Sequence, residues 1–185
     1  MPAVARTSTE AMVAAGRRII EHDGLDALTM LAVADAVGVR GSSLYKRVSG
    51  RDALVVMIAE QVIGELVEAV DQALDGEDAA RDLRAFANAF RAFAHRNRAT
   101  YPLLFDAQAG PVSPAVLERS AAPVRRVVAA LAGPEHELSA ARMLTAWAHG
   151  FVSMELAGAF QLGGDVDEAW EYALDGLITA LSRHD

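Results

Sequence analysis

Apolar residues recur at three- and four-residue spacings along almost the whole chain, which is the pattern of amphipathic helices. No segment alternates apolar and polar residues for long, so the sequence carries almost no strand signal. The longest regular stripe places an apolar residue at every fourth position from Leu54 to Leu74. The pattern therefore predicts an all-α chain of about nine helices.

Breaks in this pattern place the individual helices. Thr29 can cap the start of a short helix with its hydroxyl oxygen, and Gly24 and Gly38 stand where a helix is expected to end in a left-handed turn. Three prolines in the stretch 98–114 limit that part to brief helical pieces. The remaining helices are expected at about 8–22, 29–36, 42–48, 51–74, 79–97, 114–132, 138–160 and 166–182.

Composition narrows the class of protein. Of 185 residues, 52% are apolar, which is ample for a substantial core, and no uncharged stretch approaches the ~20 residues that a membrane span requires. The N-terminal segment lacks the apolar core of a secretory signal, so we expect a cytoplasmic protein without a membrane partner. The absence of cysteine excludes disulfides, thiolate metal sites and a cysteine nucleophile.

Charge is unevenly distributed along the chain. The net charge of -8 argues against a nucleic-acid partner, but residues 1–54 carry seven basic and six acidic groups, whereas residues 55–185 carry ten and nineteen. Between residues 40 and 51 there are four basic groups and no acidic one. A local cationic edge therefore stands out from an otherwise acidic protein.

Residues 29–48 have the spacing of a helix-turn-helix, with a capped helix, a glycine turn and a second helix. The apolar residues expected to pack the two helices together are Leu31, Ala34, Val37, Leu44 and Val48. The positions left on the outer side, where a major groove would receive them, are Arg40, Ser42, Ser43, Tyr45, Lys46 and Arg47. The residues alone leave a second interpretation open, a solvated helical hairpin in a binding module that does not touch DNA.

The segment "GLDALTMLAVADAVGVRGSSLYKRVSGRDAL" resembles the N-terminal DNA-binding module of the TetR family of bacterial transcription regulators. The resemblance implies that Thr29 and Tyr45 contact the DNA backbone and that residues 40–47 form the recognition helix. It also places Arg51 where the family usually has a phosphate-binding lysine. The implied organisation is a three-helix DNA-binding head at 1–52 and a larger helical ligand-binding and dimerisation domain at 53–185.

The C-terminal segment resembles the last two helices of a TetR subgroup with a Trp-x-His-Gly element, here Trp147, His149 and Gly150. In the family these helices form a dimer interface, which implies a homodimer on a palindromic double-stranded operator, with recognition helices about 34–36 Å apart. An apolar stripe on the last helix agrees with this implication. The expected interface residues are Phe151, Trp170, Leu174, Leu177, Ile178 and Leu181.

Aromatic and thioether side chains collect in the helices that surround a ligand cavity in this family. The candidate pocket residues are Phe86, Phe90, Phe93, Tyr101, Phe105, Met143, Trp147 and Phe151, with Asn88, His149 or Glu155 as polar groups. The alternative is that these residues form plain core.

The resemblance implies a repressor whose operator affinity falls when a small apolar effector binds, although activation stays open. The alternative is a helical interaction module without a small-molecule response. An enzyme is disfavoured because the sequence has no His-x-x-x-His pattern, no glycine-rich phosphate loop and only scattered histidines, and we expect no metal or cofactor.

Overall fold

The computed structural model describes residues 8–105 and 110–182. Within these ranges the chain forms eight α-helices and two short 3-10 helices, Leu25–Ala27 and Tyr101–Leu104, and no strand. The all-α prediction is confirmed. The α-helices are α1 (Thr9–Asp23), α2 (Met30–Val37), α3 (Gly41–Leu44), α4 (Arg51–Asp71), α5 (Ala79–Arg96), α6 (Pro114–Ala132), α7 (Glu137–Leu156) and α8 (Val166–Leu181).

The chain divides into two compact units. The first comprises the residues up to Gly64 together with Asn97–Val116, and the second comprises Glu65–Arg96 together with the chain from Leu117 onwards. Helix α4 supplies residues to both units. The division expected after residue 52 falls at the start of α4 and stays a prediction.

The first unit is built around the buried faces of α1 and α4. Gly16 on α1 allows these helices to approach closely, because a Cβ at this position would lie 2.9 Å from Cδ1 of Ile58 and 3.2 Å from Cδ1 of Leu28. The fully or almost fully buried side chains of this core include Met12, Ala15, Ile20, Leu28, Val33, Ala34, Leu44, Val48, Leu54, Ile58 and Val62.

Local caps explain where the short helices begin and end. The Thr29 hydroxyl accepts a hydrogen bond from the backbone N–H of Ala32 at 3.0 Å, so the predicted N-cap of α2 is confirmed. Gly38 ends α2 with a φ of 73°, and its N–H bonds back to the last turn of the helix. A left-handed residue reverses the chain here, which brings α3 back across α2.

Two expectations about the head differ from the structure. Leu31 is 69% exposed, whereas Val33, two residues on and therefore on the opposite side of α2, is fully buried in its place. Ala34 is buried as expected, and Val37 is half-buried. The helix expected to run for two turns to Val48 is a single turn at Gly41–Leu44, followed by a turn in which the N–H of Val48 still bonds to the Leu44 carbonyl at 3.0 Å.

The second unit packs α5 against α7 and α8. The apolar face of α5 is buried, and its members are Leu83, Phe86, Ala87, Phe90, Phe93 and Ala94. Helix α7 contributes Leu144, Ala148 and Val152, and α8 contributes Trp170, Leu174 and Leu181. Helix α7 ends at Leu156, four residues earlier than expected, and Gly158 follows with a φ of 65°.

The polar face of α5 holds these helices together as well. Its members lie at positions 84, 88, 91 and 95, a spacing of four, three and four residues along one side of the helix. Arg84 bonds to Glu171 and, at 2.5 Å, to Asp175 of α8. The side-chain oxygen of Asn88 accepts the indole N–H of Trp170 at 2.7 Å. Both the apolar and the polar face of α5 are therefore used for contacts with neighbouring helices.

Candidate nucleic-acid interface

The buried anchors of the turn from α3 to α4 are Leu44 and Val48, which are 0% and 1% exposed. They fix the backbone of this segment in the head, so the residues between and before them point outward. Tyr45 is 58% exposed, and Lys46 and Arg47 are exposed beside it. The anchoring therefore presents an aromatic hydroxyl and two cations as one surface.

The residues before Leu44 extend the same edge. Arg40 precedes the first residue of α3 and is exposed, Ser42 is exposed and Ser43 is half-buried. Thr29 is exposed at the start of α2, where its hydroxyl oxygen caps the helix. Hydroxyl and guanidinium groups of this kind can donate to phosphate oxygens, and arginine and lysine can also donate to guanine edges.

One acidic side chain lies near this cationic edge. The pKa of Glu10 is lowered by hydrogen bonds from its own backbone N–H and from Ser8, with a smaller contribution from the charge of Arg47. Glu10 therefore stays ionised near Arg47 and limits the net positive charge at that end of the surface.

Arg51 differs from the other cations because it has partners within the chain. Its Nε donates to the Leu28 carbonyl at 2.8 Å, and its Nη2 donates to the Leu25 carbonyl at 2.9 Å. Asp52 lies 3.8 Å from Nη1. The phosphate contact expected for Arg51 stays a prediction, and the structure shows that two of its donors are already engaged.

The aromatic residues expected in a ligand pocket fall into separate groups. Tyr101 and Phe105 belong to the first unit and contact each other edge to face at 5.7 Å. The other six lie on α5 and α7 of the second unit, where Phe86, Phe90 and Phe93 are buried and Met143 is 40% exposed. That the eight residues line one pocket stays a prediction.

Trp147 and Phe151 pack on Trp170 instead of standing free. The ring centroids of Trp147 and Trp170 are 4.5 Å apart in a stacked arrangement, and Phe151 meets Trp170 edge to face at 5.1 Å. The guanidinium of Arg91 lies over the Trp170 ring at 5.1 Å. Aromatic packing therefore joins α7 to α8.

The polar groups suggested for the pocket are also engaged. Arg91 donates to both carboxylate oxygens of Glu155, at 2.9 and 2.5 Å, and His95 Nε2 lies 3.0 Å from one of them. Hydrogen bonding by Arg91 lowers the pKa of Glu155, while burial lowers the pKa of His149. This cluster was not predicted, although the spacing of the polar residues on α5 was a signal for it.

A cavity of about 550 Å³ lies in the second unit, between the end of α4, the start of α5 and α6. Its lining is mixed: Leu74, Ala79, Val127 and Ala130 are apolar, and the charged members are Asp71, Asp75, Glu77, Asp82 and Arg126. None of the eight expected pocket residues is among the residues that line it.

The residues expected at a dimer interface divide between core and surface. Trp170, Leu174 and Leu181 are 1%, 0% and 3% exposed within one chain, so their side chains already pack internally. Phe151, Leu177 and Ile178 are half-buried. The buried residues of this stripe seat α8 within its own chain, and the role of the six residues in a dimer interface stays a prediction.

Two family models match the chain. The model for bacterial regulatory proteins of the tetR family matches residues 12–58, which contain the helix-turn-helix, and the model for the tetracyclin repressor-like C-terminal domain matches residues 83–177. The chain belongs to the TetR family. TetR proteins are transcriptional regulators and not enzymes, so the expectation of a non-enzymatic DNA-binding regulator is confirmed at this level. The Trp-x-His-Gly subgroup stays a prediction.

Curated relatives come from mycobacteria. An uncharacterised HTH-type transcriptional regulator of Mycobacterium tuberculosis is 29% identical over 170 residues, covering 88% of this chain and 75% of that protein. Another HTH-type regulator of the same species is 34% identical over 130 residues, covering 68% of this chain and 55% of that protein. The chain thus spans between about half and three quarters of these relatives.

Solved structures share the TetR fold. A protein of unknown function from Rhodococcus sp. RHA1 aligns with a TM-score of 0.81 and 25% identity over 98% of both chains. A TetR variant from Acinetobacter baumannii AYE, solved in complex with minocycline, aligns with a TM-score of 0.72 and 22% identity over 95% of this chain and 97% of that one.

No helix in the described ranges is long and apolar enough to cross a bilayer.

Proposed function

We propose that this TetR-family protein is a homodimeric repressor that binds a palindromic duplex operator and releases it when a small apolar molecule binds the C-terminal domain. The observation that carries the proposal is the exposed edge formed by Arg40, Ser42, Tyr45, Lys46 and Arg47, set on the buried Leu44 and Val48. A cationic, hydroxyl-bearing edge held rigidly in an acidic protein fits duplex phosphates and major-groove base edges.

The residues divide by the contacts their chemistry allows. The hydroxyls of Thr29, Ser43 and Tyr45 suit phosphate oxygens, and the exposed chains of Lys46 and Arg47 suit phosphate neutralisation. Arg40 and Ser42 stand at the start of α3, the part of a recognition helix that commonly meets base edges. Operator specificity is therefore expected to depend most on Arg40 and Ser42.

A mobility-shift experiment tests DNA binding. The wild-type protein is used to select duplexes from a random-sequence pool, and its affinity for the selected duplex is measured across a salt series. Lys46→Ala should flatten the slope of log affinity against log salt by about 0.9, the value of one lost phosphate contact. Arg119→Ala, which removes an exposed arginine from α6, is the matched control and should leave the slope unchanged. Failure of the wild type to bind any duplex at low salt overturns the proposal.

Dimerisation through α7 and α8 is supported by the surface that these helices leave exposed. On α7 and its C-cap, exposed uncharged positions follow one another at steps of three and four residues: Met143, Ala146, Gly150, Met154 and the C-cap Ala157. On α8 the exposed positions Ala169, Tyr172, Gly176 and Ala180 form a second uncharged stripe, with Tyr172 83% exposed. Small and apolar stripes on adjacent helices can form a closely packed four-helix contact between two copies.

Light scattering coupled to gel filtration tests this contact. Ala146→Glu would bury two carboxylates in a two-fold interface and should convert the dimer to a monomer. Ala122→Glu on the exposed side of α6 is the matched control and should remain dimeric. A wild-type protein that runs as a monomer at micromolar concentration contradicts the homodimer.

A response to a small molecule is supported by family membership and by the A. baumannii protein of the same fold, which was solved with minocycline. Helix α4 begins at Arg51 beside the head and ends at Asp71, so a shift of this helix is a direct route from the C-terminal domain to the DNA-binding edge. Coupling of this kind is typically worth about 1–3 kcal/mol, or roughly 5–150-fold in operator affinity. A thermal-shift screen of small apolar molecules followed by the mobility shift tests it; stabilising compounds that leave operator affinity unchanged contradict the ligand response.

A further inference from the structure

Arg51 is the first residue of α4, and its guanidinium bridges two backbone carbonyls. Nε donates to the carbonyl of Leu28 at 2.8 Å and Nη2 donates to the carbonyl of Leu25 at 2.9 Å. Leu25 is the first residue of the 3-10 helix Leu25–Ala27, and Leu28 follows that helix and directly precedes Thr29. Building on the DNA-binding function above, we propose that Arg51 is a positioning residue that fixes the loop presenting Thr29 and does not itself bind a phosphate.

The chemistry of the side chain fits this role. A guanidinium is a planar fork that donates to two acceptors at once, whereas an ammonium is a compact point charge. The resemblance leads one to expect a lysine at this position, and a lysine cannot make the same two-pronged contact. The two-carbonyl bridge is therefore a reason for arginine in this chain.

The position of the Arg51 charge at the start of α4 also supports a positioning role. A cation at the first position of a helix opposes the helix dipole, and the nearby Asp52 is 73% exposed and 3.8 Å away, too far for a strong ion pair. Two charge-assisted hydrogen bonds to carbonyls offset this unfavourable placement. The bonding of Arg51 is thus directed toward the loop.

The loop that Arg51 holds determines how Thr29 is presented. The Leu28 side chain is fully buried, and its carbonyl is bound by Arg51, so the peptide that leads into Thr29 is fixed on both sides. Thr29 has an extended backbone, with φ of -125° and ψ of 155°, and its hydroxyl caps α2 through the N–H of Ala32. Loss of the bridge should loosen the residue that starts the helix-turn-helix.

Salt-dependent DNA binding separates positioning from phosphate binding. The probe is the duplex that the wild-type protein selects, and the variants are Arg51→Lys, Arg51→Ala and, as a matched phosphate-contact control, Lys46→Ala. We expect both Arg51 variants to bind about tenfold more weakly, a factor that corresponds to roughly 1.4 kcal/mol. Both should keep the wild-type slope of log affinity against log salt, whereas Lys46→Ala should flatten it by about 0.9.

Two results of the salt series overturn the proposal. If the salt slope of Arg51→Ala is flattened by about 0.9, Arg51 itself binds a phosphate. If Arg51→Lys binds the duplex with wild-type affinity, the two-pronged guanidinium contact is dispensable. If the variants lose their helical circular dichroism, the proposal is tested in the wild-type protein by NMR, through hydrogen exchange of the Arg51 side-chain Nε–H. This proton should exchange slowly with water in the free protein and in the duplex complex, and rapid exchange in either state overturns the proposal. Failure of the wild type to bind DNA contradicts the proposed function instead. The two failures can be told apart because the Arg51 Nε–H signal of the free protein still shows whether the hydrogen bonds to the two carbonyls are present.

Discussion

Replacing Glu155 with glutamine tests whether the charge cluster between α5, α7 and α8 holds the second unit together. In the structure Arg91 bonds to both carboxylate oxygens of Glu155 and also lies 2.7 Å from Asp167. The substitution keeps the size of the side chain but removes its charge. It leaves Arg91 with one remaining acidic partner, Asp167, which is 79% exposed.

The expected loss follows from burial. The side chains of Arg91 and Glu155 are 16% and 15% exposed, so the pair lies between a surface ion pair, worth about 0–1 kcal/mol, and a fully buried one, whose disruption costs about 3–5 kcal/mol. Because Asp167 remains, we expect a loss of about 1.5–3 kcal/mol at pH 7, in the range of hydrogen bonds to charged groups. For a chain of this size that corresponds to a fall of about 5–10 °C in Tm.

The pH dependence of the stability difference between wild type and Glu155→Gln provides a second, independent test. Pairing lowers the pKa of Glu155 in the folded protein, so the unfolded chain takes up this proton first as the pH falls. The stabilisation from ionised Glu155 is fully present above the pKa of this group in the unfolded chain, about 4.3. It is lost as the pH falls through the lower pKa of the group in the folded protein. The difference between wild type and Glu155→Gln should therefore shrink on acidification, because a protonated Glu155 resembles glutamine.

Urea denaturation at pH 7 and at about pH 3 measures both effects, at one protein concentration because dimerisation would shift the midpoint. The control is Glu77→Gln, since Glu77 pairs with Arg81 but is 77% exposed, and no measurable change is expected there. Equal stability of Glu155→Gln and wild type at pH 7 would refute the reasoning. A difference that stays constant down to pH 3 would refute the linkage.

Three further substitutions, all measured by urea denaturation without DNA, test single features of the fold. Thr29→Ala removes the N-cap bond to Ala32 and should cost about 1 kcal/mol, whereas Thr29→Ser should be nearly neutral; equal losses contradict the cap. Gly64→Ala should stabilise α4 by about 0.5–1 kcal/mol, because the new Cβ meets no heavy atom within 4 Å beyond the adjacent backbone of its own helix, and destabilisation would contradict this. Asn88→Ala should cost about 1–3 kcal/mol, because the buried indole N–H of Trp170 loses its acceptor; unchanged stability would show that water replaces it.

Most of the secondary structure is local in origin, which is why it could be predicted. The bounds expected for α6 agree with the structure, and those for α1, α2, α5 and α8 differ by about one residue at either end. Thr29 and Gly38 act through hydrogen bonds and backbone angles within a few residues of themselves, so their roles are readable without the rest of the fold. The cationic edge was predictable for the same reason, because its residues all lie within the short segment 40–47.

The sequence by itself determined the all-α class, the helix-turn-helix and the cluster of cations at 40–51, since periodicity, caps and charge runs are properties of neighbouring residues. Only the tertiary structure decided which faces meet. It placed Leu31 outside and Val33 inside, bound Arg51 to carbonyls more than twenty residues away, and paired Arg91 with Glu155 across helices. Helical periodicity shows that a face is apolar or polar, but the partner of that face depends on contacts between residues far apart in the chain.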